Sequence, residues 1–149
     1  MFDPTYLLLN LFCLLGVTFA LWKGQTAERI AAGVVLANAV VGIITDLLIP
    51  HDAGLVLLIN DGIAAAALLA VTVRFAAPWM GGVMLFYAAQ FTLHAIYLVT
   101  ERTPDYLHAL VNNLNFAGIV WCLIIGAAMA WRQRVRTARR EQMAQPAAS

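Results

Sequence analysis

Residues 78–131 read PWMGGVMLFYAAQFTLHAIYLVTERTPDYLHALVNNLNFAGIVWCLIIGAAMAW. Two apolar runs flank the short segment ERTPD, and Glu101, Arg102 and Asp105 in that segment are the only Asp, Glu, Lys or Arg of the stretch. A helix of ~20 apolar residues crosses a hydrocarbon core of ~30 Å, so each run is long enough to span a membrane. Hydrocarbon offers the backbone no hydrogen-bond partners, so both runs must be helical. Pro78 sits where a first helical turn tolerates it, and Thr103-Pro104 repeats the signal for the second run. The stretch predicts a transmembrane hairpin.

The rest of the chain extends the pattern. Of 149 residues, 62% are hydrophobic and 11% charged, and mean hydropathy is +0.81. That composition lies well outside the range of soluble domains. Punctuation at Lys23-Gly24-Gln25, Pro50 and the His51-Asp52-Ala53-Gly54 turn divides the chain further, with Thr26 the expected cap of the second run. The expected fold is all-α: a polytopic membrane protein of five transmembrane helices at about 4–22, 27–49, 54–75, 78–100 and 104–131. No linker separates the spans, so residues 1–141 form one domain, followed by a disordered tail at 142–149. The start has no basic region before its apolar stretch, which fits an uncleaved first span better than a signal peptide.

Basic residues set the orientation. Lys23, Arg29, Arg74, Arg132, Arg134, Arg136, Arg139 and Arg140 fall on one side and only Arg102 on the other. The positive-inside rule then puts the N-terminus outside and the C-terminus in the cytoplasm, in a bacterial inner (plasma) membrane. Trp22, Trp79 and Trp131 fall at the same inner interface, as an aromatic belt would place them. The arginines after Trp131 read as a stop-transfer signal, and a net charge of +1 gives no reason to expect nucleic-acid binding. Cys13 and Cys122 fall on different spans at different depths, so they read as packing residues rather than a disulfide.

Polar residues inside the spans concentrate in the outer halves, and intramembrane ionisable groups default to a functional reading because burying them is costly. Tyr87, Gln90, His94, Tyr97 and Glu101 follow a three–four spacing along one helical face, as do Asp105, His108, Asn112 and Asn115. Asp3, Tyr6, Asn10 and Cys13 form a weaker stripe, Asn38, Gly42 and Asp46 another, and Asn60 and Asp61 represent the third span. These faces are expected to turn inward. Counting at ~1.5 Å per residue from the outer turns puts Asp46, His108 and Asn10 about 8 Å down. Asp61, His94 and Asn112 share a level about 14 Å down, and Gln90, Asn115 and Asn38 follow at about 18–20 Å.

The candidate ligand- or ion-binding residues are therefore Asp61, His94, Asn112, Asp46, His108, Gln90, Asn115 and Tyr97. One reading is an outward-facing pocket for a small polar ligand or cation, with Tyr87 and Tyr97 at its mouth. Should the occupant be a metal, His94, His108 and Asp61 are its ligands, although the imidazoles sit about one turn apart in depth. A second reading is proton or ion transport by an oligomer, since Asp–His pairs carry protons readily. A third is a structural network that sets helix register. No cofactor is indicated. An enzyme is the weakest reading: Ser149 is the only serine, and neither cysteine has a histidine at its level. The expected partners are the lipid bilayer and a second copy or a larger membrane complex, with the protein as its accessory subunit. Gly33 with Ala37, the Ala64 to Ala67 run, Gly81-Gly82, Gly118 and Gly126-Ala127 give small surfaces for close helix approach.

Overall fold

The computed structural model describes residues 4–49 and 53–144, with side chains from residue 8 to 143 except 46 and 50–53. Within them the chain is all-helical: α1 (Pro4–Lys23), α2 (Thr26–Leu48), α3 (Ala53–Phe75), α4 (Pro78–Val99) and α5 (Tyr106–Ala144). Four helices are long and apolar enough to cross a membrane, namely α2 to α5, and the described apolar part of α1 runs from Leu8 to Lys23. Each helix packs on its neighbours in sequence, α5 closes the ring on α1, and a smaller contact joins α5 to α2.

Short connections dictate this up-and-down ring. Residues 24–25 and 76–77 each leave room only for a reversal. Ala76 and Glu101, just past α3 and α4, take left-handed backbone with φ of 49° and 51°, which turns the chain sharply out of each helix. Gln25, not Thr26, occupies the cap position of α2, and its N–H donates to Glu28 Oε2 at 2.9 Å. The fifth helix begins at Tyr106 rather than at 104, because Asp105 caps it: the His108 N–H donates to Asp105 Oδ1 at 2.9 Å.

Helix α5 also runs on far past Trp131. Its 39 residues measure about 58 Å, nearly twice a hydrocarbon core, so its arginine-bearing third projects beyond the bundle. Gln142 and Met143 continue that helix instead of starting a disordered tail, and 145–149 lie outside the described residues.

The core is built from small and aliphatic side chains, including Ala20, Ala31, Val35, Leu68, Val83 and Leu123, all fully enclosed or nearly so. The outward surface is as apolar as the core: Ile43, Leu85 and Val99 are 68%, 69% and 81% exposed. Exposed aliphatic faces of this extent are compatible with helices that cross a membrane. Glycines let α4 and α5 approach closely. A Cβ on Gly126 would meet the Trp79 ring, one on Gly118 the Phe86 ring, and one on Gly82 the Cys122 sulfur. Cys13 is buried and Cys122 half-buried, both as free thiols.

Candidate functional site

Asp61 on α3 is the centre of the polar interior, only 3% exposed. Its carboxylate accepts from side chains on two helices, α2 and α4. Asn38 Nδ2 on α2 donates to Oδ1 at 3.0 Å, and Gln90 Nε2 on α4 reaches both oxygens at 3.2 Å. His94 Nε2, one turn beyond Gln90, lies 3.3 Å from Oδ2. Asn38 is in turn held by Tyr87, whose hydroxyl donates to Asn38 Oδ1 at 3.3 Å, and by Asn60, which donates to the Asn38 carbonyl at 3.0 Å. The Asp61 pairing with His94 expected from depth counting is present. Asn38 and Gln90, expected a layer deeper, join the same centre: Gly42 faces Leu57 and Gly62 faces Phe91, a register that brings both residues beside Asp61.

From His94 the network continues toward the α4–α5 turn. Nδ1 of His94 lies 3.3 Å from Nε2 of His108, and the rings meet edge to face with centroids 5.0 Å apart. His108 also packs against Tyr97, with centroids 4.6 Å apart. The imidazoles, expected about one turn apart in depth, are closer in level than that: the α4–α5 register sets His94 beside residue 110, two residues from His108. Tyr97 donates to Asp105 Oδ1 at 2.7 Å, and Arg102 reaches Asp105 Oδ2 at 3.3 Å. The backbone N–H of His108, followed by the Tyr97 hydroxyl, holds the Asp105 carboxyl below the usual carboxylate range.

With Asp61 ionised and both imidazoles neutral, hydrogen-bond logic assigns a direction to this line. As an anion Asp61 can only accept, so His94 donates from Nε2. A neutral His94 then presents Nδ1 as an acceptor, so His108 donates from its own Nε2. Donors thus point from the half-buried His108 toward the enclosed carboxylate. Both nitrogens of His94 are engaged, and the three groups form a line rather than a cage. Among the described residues no group of three His, Cys, Asp or Glu side chains could hold a metal ion.

Other expected residues fall elsewhere. Asn112 makes no bond to Asp61 or His94; its Oδ1 is buried without a partner, as are Gln90 Oε1 and Asn115 Nδ2. Each buried, unmatched polar atom costs about 1–3 kcal/mol. Tyr87 is fully enclosed and Tyr97 nearly so, so neither lines an open mouth. Asn10 is exposed rather than turned inward. The Asp46 side chain lies outside the described residues, as do Asp3 and Tyr6.

One buried carboxylate escaped sequence reasoning. Glu28, 6% exposed, sits at the arginine-bearing end, far from the Asp61 network. It accepts from the Trp79 indole Nε1 at 3.2 Å and from the Gln25 N–H, tying the start of α2 to the start of α4. Trp79 is therefore an interior residue and not part of a lipid-facing belt, whereas Trp22 and Trp131 do flank the Lys23 ammonium at 3.8 and 5.3 Å. A Glu at the third position of a helix start was the available signal. The grooves described also lie at this end, one of them along Trp131, Arg132, Val135, Arg136 and Arg139.

No protein-family model, curated protein or solved structure matches this chain.

Proposed function

We propose that the chain is a small, non-enzymatic integral membrane protein that takes up a proton from the outer side and stores it at Asp61. In this reading all five helices span the bilayer, with the N-terminus outside, the C-terminus cytoplasmic, and the α4–α5 turn facing outward. The eight-to-one distribution of basic residues supports that orientation. The observation that carries the function is the line from His108 through His94 to Asp61.

The transfer balances simply. A proton arrives at His108 Nδ1 as the Nε2 proton of His108 passes to His94 Nδ1. The Nε2 proton of His94 then moves to Asp61 Oδ2. Both imidazoles end neutral in the other tautomer, and Asp61 ends as a neutral acid. Neutralising a carboxylate enclosed in hydrocarbon removes most of its burial cost. Oδ2 then donates back to His94 Nε2 while Oδ1 keeps accepting from Asn38 and Gln90, so the change falls on the contact of Gln90 with Oδ2. Proton binding is thereby coupled to the packing of α3 and α4, as a sensor or a proton-responsive subunit of a larger complex requires.

The test is a pH titration of the lipid-reconstituted protein by infrared difference spectroscopy. Among the carboxylic-acid carbonyl bands that wild type gains on acidification, one should be missing in Asp61→Asn. A folded Asp61→Asn variant that binds as many protons as wild type would remove the proposal.

A further inference from the structure

Gln90, Asn112 and Asn115 present three buried polar atoms with no protein partner, and we propose that they form a binding site for one small neutral hydrogen-bonding molecule, of which water is the smallest member. Gln90 is 5% exposed and Asn115 is 8% exposed, so bulk solvent does not satisfy them. The site lies in the seam between α4 and α5 and shares Gln90 with the Asp61 network.

The helix register brings the three amides together. Trp79 lies against Gly126, Gly82 against Cys122 and Phe86 against Gly118, which fixes how the antiparallel helices run past each other. Continued by four residues from Phe86, that register places Gln90 beside residues 114–115. Asn112 follows one turn nearer the α4–α5 turn, on the face that carries Asn115 and His108.

The chemistry selects the ligand. Gln90 cannot turn its amide around, because its Nε2 is committed to both oxygens of Asp61 and an amide oxygen there would face an anion. Gln90 Oε1 is therefore a fixed acceptor. Asn112 and Asn115 are free to choose their orientation, and in the arrangement seen they offer an acceptor, Oδ1, and a donor, Nδ2. A ligand giving two hydrogen bonds and accepting one matches this set. Buried waters commonly make about three such bonds. A cation fits poorly: the Asp61 oxygens are turned to other partners, and three amides fall short of the six or more oxygens of a calcium-type shell.

The test is an experimental structure of the full chain in lipid nanodiscs, at a resolution that shows ordered water. A density within hydrogen-bond distance of Gln90 Oε1 and of Asn112 or Asn115 is expected. A single-atom peak identifies water and an extended one a neutral solute; either supports the site. Amides bonded to one another with no density between them would overturn it, as would a peak ringed by oxygens at about 2.4 Å, the mark of a cation. Asn115→Leu gives a second reading: its thermal midpoint should fall by about 2–4 °C, since a satisfied group is lost. A rise or no change would mean that the amide was unmatched and would overturn the site. Both readouts leave the Asp61 titration untouched, so failure of one proposal is distinguishable from failure of the other.

Discussion

His94 on α4 and His108 on α5 join their imidazoles directly, Nδ1 to Nε2 at 3.3 Å, although counting along the sequence sets them about one helical turn apart in depth. Among the described residues, that bond makes His108 the link between the α4–α5 turn and the His94–Asp61 pair. His108→Phe keeps a ring against Tyr97 but removes the proton carrier. Its effect should therefore be kinetic. The Asp61 carbonyl band should still appear at equilibrium, while its rise after a pH jump slows at least about tenfold, a barrier increase of about 1.4 kcal/mol. Time-resolved infrared measurement of wild type and variant decides this, and equal rates would show that protons reach Asp61 another way.

Glu28 should matter for folding rather than for proton uptake. Glu28→Leu leaves the Trp79 indole N–H and the Gln25 N–H without their acceptor, one of them deep in the bundle. The expected loss is about 1–3 kcal/mol. Glu28→Gln retains an oxygen for the indole and should recover most of it. Thermal unfolding in detergent measures both, and the Asp61 titration should be unchanged in each. A Glu28→Gln variant as unstable as Glu28→Leu would mean that charge, not hydrogen bonding, is what Glu28 supplies.

The parts of this arrangement that were legible in the sequence are those that depend on period and length. Three–four spacing put His94 and Gln90 on one face, and counting from the turns put Asp61 level with His94. The register between neighbouring helices was not legible. Counting put Asn38 and Gln90 a layer off, yet packing of Gly42 on Leu57 and of Gly62 on Phe91 brings both to the Asp61 carboxylate. His108 and His94, counted a turn apart, meet for the same reason. Glu28 and Trp79 were missed for a different reason: each looks like an interfacial residue when its own helix is read alone. Only the packing of α2 on the rest of the bundle shows that they meet inside.

Acid should loosen the start of α5 before it disturbs the helix bundle. Asp105 accepts from the His108 N–H and the Tyr97 hydroxyl, and these hold its carboxyl below the ordinary range. A carboxylate depressed in the folded protein contributes stability in full above the ordinary carboxylate range. That contribution fades as the pH falls through the depressed value. Amide hydrogen exchange at residues 106–109 should accelerate in that acidic window, and Asp105→Ala should show the fast exchange already at neutral pH. Wild-type protection that stays flat through the window would mean that the cap does not hold this helix end.

The apolar half of the bundle leads to the last expectation, that the protein binds protons without conducting them. Between Asp61 and Glu28 the buried side chains include Ala31, Val35, Leu68, Val83 and Leu123, none of which accepts or donates a proton. Asn38 and Glu28 are ten residues apart on α2, about 15 Å along the helix. Hydrogen bonds of ~3 Å cannot bridge that gap. Wild-type protein in sealed liposomes should therefore hold an imposed pH gradient as long as protein-free liposomes do, whether or not Asp61 is intact. Collapse of the gradient by wild type but not by Asp61→Asn would instead make Asp61 a station on a through-path. The helices would then have to open the Leu68–Val83 layer during each transfer, and the protein would be a transporter.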